Sequence, residues 1–234
     1  MARATNLRYV SLKLSQAAQE AAAALSSATA SLPEAVHRGL EAFRLPLTSV
    51  MLITGAAMAP TLNPKAASQP EAVERLLVRL LPRPSSKTVH TGDVVAFRSP
   101  LTVAAAAGAG AGGGLGSFAA AALDPELLQN TMIRRVAAMP GDELVAFEGE
   151  EHEETFVVPQ GHCWVLADNE QLDPPHVIDS RSFGPLPLSN VVGRILYAAR
   201  SETDHGPVEN STEGMEADAP VIEAELDLEA LCGE

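Results

Sequence analysis

From Leu45 to Leu62 the chain carries no charged residue for eighteen positions, and the way that stretch is broken limits what the molecule can fold into. A charge-free run of this length raises the question of a membrane-crossing helix. Pro46, Gly55 and Pro60 interrupt it, and Thr and Ser dilute it. Proline removes a backbone donor and glycine favours turns, so one continuous helix is not expected. The stretch reads instead as a buried strand, Thr48 to Thr54, running into a loop that ends near Leu62.

The same reading extends along the chain. Gly92-Asp93 opens a turn, and the following Val94-Val95-Ala96-Phe97 reads as a strand. Val145 to Val158 gives a hairpin with the acidic run Glu148 to Glu154 as its solvated tip, and two further strands follow at 161–169 and Val191–Tyr197. Residues 33 to 44 read as a short helix, with Pro33 at its start and Glu34 in its first turn. Ser68 and Glu71 have capping-box spacing, which predicts a helical turn from Pro70.

Composition sets the boundaries. Apolar residues make up 46% but aromatics only 4%, so the core is built from Val, Leu and Ile. Residues 102 to 122 are Ala/Gly low complexity; glycine at that density costs too much backbone entropy to order, which predicts a surface insertion. The net charge of −14 is lopsided: residues 201–234 hold eleven Asp and Glu and no Lys or Arg, leaving −3 for the rest. That predicts an acidic, disordered tail, with Val221 to Leu231 as a stretch able to fold as an amphipathic helix on a partner. No basic stripe exists for a phosphate backbone, so nucleic-acid binding is not expected. Residues 1 to 31 are rich in Ala and Ser, with Arg3, Arg8 and Lys13 against the single acid Glu20. This is the composition of an organelle targeting peptide, set slightly ahead of an ordinary amphipathic helix with Leu7, Val10, Leu12, Leu14 and Ala17 on its apolar side. Cys163 and Cys232 have no pair spacing for a disulfide framework, and neither they nor the six histidines suggest a metal site. No cofactor is expected.

Five blocks now carry a resemblance. Gly55-Ala56-Ala57-Met58-Ala59-Pro60-Thr61 resembles the Gly-x-Ser-Met-x-Pro-Thr segment of type I signal peptidases and mitochondrial inner membrane peptidases. Gly92-Asp93-Val94-Val95 resembles the next block of that family. Arg134-Arg135-Val136, with Pro140-Gly141-Asp142, is similar to its Lys-Arg-Val-x-x-x-Pro-Gly-Asp segment. Gly161 to Asn169 and Asp179-Ser180-Arg181 complete the set, in family order, over residues 50 to 198. The resemblance implies a mainly β, antiparallel signal-peptidase-like fold with a short helical N-terminal part and a disordered tail. The implied division is a targeting or amphipathic segment at 1–31, the peptidase-like domain at 32–200 and the tail at 201–234.

The resemblance also implies a Ser-Lys dyad, in which a dry, neutral lysine amine takes the proton from a serine hydroxyl that attacks the peptide carbonyl. Here the serine position holds Ala57 and the lysine position holds Arg134. A methyl group cannot attack, and a guanidinium stays protonated in proteins. No dyad is intact, and the other residues offer no substitute: Lys13, Lys65 and Lys87 are the only lysines, and none lies on the strand expected to face Ala57. By resemblance, Met58 and Pro60 shape the loop, Asp179 and Arg181 form an ion pair behind the site, and Ser180 matches a serine that supports the lysine by hydrogen bonding. The function expected is that of a catalytically silent peptidase relative, a pseudoenzyme in presequence or signal peptide processing. Its expected partners are a peptide or presequence, an active peptidase relative as a second subunit, and a membrane touched shallowly. The expected location is mitochondrial and inner-membrane-associated, with the chloroplast as the alternative. Two other readings stand beside this one: an active serine endopeptidase with an unrecognised base and nucleophile, and a peptide-binding module unrelated to processing.

Overall fold

The structure, a computed structural model, describes residues 6–26, 31–100, 131–147, 153–172 and 177–233. The Ala/Gly stretch at 102–122 and the tip of the acidic run, 148–152, lie outside them. Helices α1 (Leu7–Ser26) and α2 (Leu32–Arg44) pack as an antiparallel pair ahead of strand β1 (Thr48–Thr54). Their close approach centres on Gly39, where a Cβ would come within 3.0 Å of the Ala17 carbonyl. The amphipathic helix read in residues 1–31 is α1, but its buried side differs from the one expected. Gln16 and Ala24 are buried, Leu7 and Leu14 are exposed, and Lys13 sits over the Tyr9 and Phe43 rings.

The sheet is mainly antiparallel, as the sequence led us to expect. Its strands are β1, β2 (Val73–Leu80), β3 (Val94–Arg98), β4 (Thr131–Ala138), β7 (His162–Leu166), β8 (Leu186–Pro187) and β9 (Val191–Ala199). Their spatial order is β1-β2-β9-β3-β4-β7-β8, with β10 (His205–Pro207) added on β9. β5 (Glu143–Phe147) and β6 (Glu153–Val157) form a separate hairpin. The helical turn expected from Pro70 is a plain turn at residues 70–71, the short helical piece lying earlier at Pro64–Ala67; β2 follows and pairs on both sides with β1 and β9. Two apolar clusters fill the interior: Met51, Met58, Leu62, Leu76, Ile133 and Ile195 in one, and Val95, Phe97, Val136, Cys163 and Leu186 in the other.

The C-terminal segment corrects the expectation of a disordered tail. It contains β10, helix α4 (Thr212–Glu225) and helix α5 (Leu228–Cys232), the short helix α3 (Ser180–Phe183) having come earlier. Ser211 caps α4 by accepting from the Gly214 N–H at 3.0 Å. The physical reason for order is a buried ionic cluster. Asp218 on α4 accepts from Arg194 Nε at 2.8 Å, Arg194 Nη1 donates to Asp93 at 2.7 Å, and Arg79 lies 3.6 Å from Asp218. Burial alone would lower the Arg194 guanidinium, but Asp218 and Asp93 hold it above its ordinary value. Gly214 lets α4 approach: a Cβ there would lie 2.6 Å from Asp93 Oδ1. Farther along, Glu225 accepts from the N–H groups of Leu47 and Thr48, both at 2.8 Å, and fixes the start of β1. Val221 packs with Leu47 and Leu196, and Leu231 with Leu77 and Ala199. The end of the tail, Val221 to Leu231, is helical in two pieces broken at Leu226–Asp227, and it packs on its own chain rather than on a partner.

Candidate functional site

The loop after β1 begins at Gly55, whose φ of +81° is a left-handed value that glycine adopts without a Cβ penalty. Its interior is anchored by Met58 and Leu62, both fully buried, and the Leu62 N–H donates to the Met58 carbonyl at 2.8 Å. Pro60 is exposed and Ala57 half-buried. The loop closes on Asn63, which takes a left-handed φ of 47° and donates through Nδ2 to the carbonyls of Ala72 at 2.8 Å and Gly55 at 3.3 Å. The Asn63 N–H donates to Glu74, which is wholly buried and paired with Arg200 at 3.0 Å. Burial raises the Glu74 carboxyl above its ordinary range, against the pull of the Asn63 N–H and Arg200. Sequence reasoning missed Asn63 and Glu74. The available signal was an Asn directly after the motif, since Asn is among the residues most at ease at positive φ.

A second clamp comes from the end of β7. The Asn169 N–H donates to the Ala57 carbonyl at 3.1 Å, and Asn169 Nδ2 donates to the Ala56 carbonyl at 2.8 Å. Asp168 accepts from the Thr61 hydroxyl at 2.6 Å and receives Arg135 in two bonds, Nε at 2.9 Å and Nη2 at 2.7 Å. Arg135 Nη1 also holds the Gly92 and Glu209 carbonyls. Beside this clamp a surface recess of about 450 Å³ opens, with Ala59, Pro60, Asp168 and Asn169 in its lining. Four of the five sequence blocks thus meet in one network.

Arg134 is the neighbour of Arg135 on β4, and strand neighbours face opposite sides. Its side chain is 8% exposed; Nε donates to the Ile178 carbonyl at 3.0 Å and Nη1 to the Ile133 carbonyl at 2.6 Å. Burial pushes the guanidinium below its ordinary value, Asp179 raises it and Arg181 lowers it further. It remains a cation, as guanidinium groups do in proteins. Asp179 is wholly buried and caps α3. The expected pair with Arg181 is present, Nε to Oδ1 at 3.0 Å and Nη2 to Oδ2 at 2.7 Å. Burial would raise the Asp179 carboxyl, but the Arg181 side chain and the N–H groups of Ala167 and Arg181 bring it below the ordinary carboxylate value.

Ser180 departs from its expected role. Its hydroxyl accepts from the Val165 N–H at 2.9 Å and braces β7; it makes no bond to Arg134. Cys163 is wholly buried, and burial pushes its thiol up to about 12. His162 beside it is half-buried and its ring lies against the Gln160 carbonyl. Among the described residues no cluster of His, Cys, Asp and Glu could hold a metal ion, and no helix is long and apolar enough to cross a membrane.

A motif loop clamped to an antiparallel sheet, with a basic residue of β4 and an Asp-Ser-Arg turn converging on residues 167–169, defines a protein of the signal peptidase class. No family model matches the chain. Individual relatives do. The chain is 32% identical over 177 residues to the mitochondrial ATP-independent inner membrane protease subunit 2 of Arabidopsis thaliana, covering 76% of this chain and 70% of that one. It is 30% identical over 154 residues to the mitochondrial inner membrane protease subunit 2 of Danio rerio, covering 64% and 63% of the two. Against the mitochondrial inner membrane protease subunit 1 of Saccharomyces cerevisiae it is 34% identical over 90 residues, a match to 45% of that protein. The chain belongs to the mitochondrial inner membrane protease family. Its place is accordingly the mitochondrion, in association with the inner membrane.

Proposed function

We propose that this chain is a catalytically silent member of the family, acting in presequence processing as a binding or regulatory subunit beside a dyad-bearing relative. One observation carries the reading. The loop that would present the nucleophile is held at both ends, by Asn63 and by Asn169, yet the residue it presents is Ala57. The strand position that would supply a neutral amine holds the buried cation Arg134. A site kept in place without its two reacting groups suits retention of a peptide rather than its cleavage. Strand addition along an open sheet edge is the natural binding mode for an extended peptide. β1 ends the sheet order, and Val50 and Leu52 on it are 46% and 61% exposed. These exposed apolar residues also supply the shallow membrane contact that the reading includes.

The partnership rests on the relatives being named as subunits 1 and 2 of a protease. The test is co-purification from mitochondria of the chain with a family member that keeps serine and lysine at the dyad positions, together with a cleavage assay on presequence peptides. The expected result is stable association and no cleavage by this chain alone. Cleavage by the purified chain would make it an active endopeptidase. Peptide binding without any association would make it a binding module outside processing.

A further inference from the structure

Burying a guanidinium without a carboxylate is costly, and structures normally provide an acidic partner. Among the described residues each of the other deeply buried arginines has one: Arg194 has Asp93 and Asp218, and Arg79 has Asp218. Arg134, at 8% exposure, has none among the described residues. Its two bonds go to neutral carbonyls, and Nη2 has no hydrogen-bond partner among the described residues. The nearby carboxylate cannot serve, because both Asp179 oxygens are taken by Arg181 and by backbone N–H groups. Among the described residues, Arg134, Arg181 and Asp179 together leave one positive charge uncompensated.

A relay through residues 178–179 and 167–169 links this cation to the motif loop. Arg134 holds the Ile178 carbonyl, Asp179 holds the Ala167 N–H at 3.1 Å, and Asn169 holds the Ala57 carbonyl. Two residues of extended chain, about 7 Å, separate the last two anchor points.

We infer that Arg134 is an anion-recognising residue of the peptide site, selecting a ligand that brings a carboxylate next to Ala57. The inference rests on the peptide-binding reading above and adds the ligand's chemistry. A carboxylate there would accept from Nη2 in a charge-assisted bond, in a place where water screens little. It could come from an Asp or Glu side chain or from a peptide's free C-terminus; both are the same group to the guanidinium.

The experiment measures binding of fluorescein-labelled presequence peptides by anisotropy to the full chain and to Arg134→Met. The peptides form a set: Asp, Asn or Ala at one scanned position, each with a free or an amidated C-terminus. The expected result is that one carboxylate-bearing form binds about tenfold or more tighter than its amide counterpart, and that Arg134→Met abolishes the difference. Preference for Asp over Asn identifies a side chain; preference for the free over the amidated end identifies a terminus. Equal binding of acid and amide forms, or a preference that survives Arg134→Met, overturns the inference. A parallel arm separates this from failure of the peptide reading: thermal unfolding of both proteins in sodium acetate and in sodium chloride at equal ionic strength. If no peptide binds but acetate raises the melting temperature of the full chain and not of Arg134→Met, the anion site stands and the peptide reading falls. If no peptide binds and acetate has no such effect, the anion site falls as well.

Discussion

Asp218→Ala should cost the protein a large part of its stability, and the size of the loss follows from what the residue touches. The carboxylate is 3% exposed and accepts from Arg194 at 2.8 and 2.7 Å, with Arg79 Nε 3.6 Å away. Removing it leaves Arg194, 2% exposed, with Asp93 alone. Among the described residues it leaves Arg79 with no carboxylate in contact and only the Leu47 carbonyl, at 3.3 Å from Nη1. Breaking a buried pair by deleting one partner costs about 3–5 kcal/mol. That is a sizeable share of a typical domain stability of roughly 5–15 kcal/mol. At roughly 2–4 °C per kcal/mol for a chain of this size, the melting temperature should fall by about 6–20 °C. Urea unfolding followed by the fluorescence of Trp164, the single tryptophan, reads the change. Glu216→Ala on the exposed side of the same helix is the control and should stay within about 0.5 kcal/mol. Equal behaviour of the two variants would mean that α4 is not docked through this cluster and that the acidic segment is the loose tail its composition suggests.

Three further outcomes are expected. Asn63→Ala should destabilise by about 1–3 kcal/mol, since it removes two Nδ2 bonds and places alanine at φ 47°; urea unfolding measures it, and a neutral effect would show that the loop is held elsewhere. At pH 8 the native protein should react with a thiol reagent at Cys232 only, with Cys163 joining after denaturation, because the Cys163 thiol is buried and pushed up to about 12; two reactive thiols in the native state would contradict the packing. The Asp179 carboxyl lies below its unfolded value, so its contribution is present above about pH 4 and is lost as pH falls through the lower, folded value. Acid unfolding of the protein should therefore steepen below about pH 4, and Asp179→Asn should flatten that limb; an unchanged acid limb in the variant would refute the assignment.

Much of the sheet was legible because its strands announce themselves locally. β1 has the bounds read from the broken uncharged run, and Val94 to Phe97 lies within β3. The motif loop was legible through Gly55 and Pro60. What was hidden depends on partners far away in sequence. The acidic tail looked solvated because its cations are not near it in the chain: Asp218 pairs with Arg194 and Arg79, which sit on β9 and β2. Asn63 and Glu74 look ordinary until a fold brings Glu74 beneath the loop. Ser180 was placed beside Arg134 by analogy, whereas the tight α3 cap turns its hydroxyl toward Val165 instead.

The proposed function requires that the scaffold of the site be intact and only its chemistry gone. The most direct test is cleavage of presequence peptides by the chain itself, by Ala57→Ser, and by the double variant Ala57→Ser with Arg134→Lys. No cleavage is expected from the first two and measurable cleavage from the double variant, in which a hydroxyl returns to a loop still held by Asn63, Asn169 and Asp168 and a neutralisable amine returns to β4. Cleavage by the unaltered chain would contradict the proposed function, since a nucleophile other than residue 57 would then be at work.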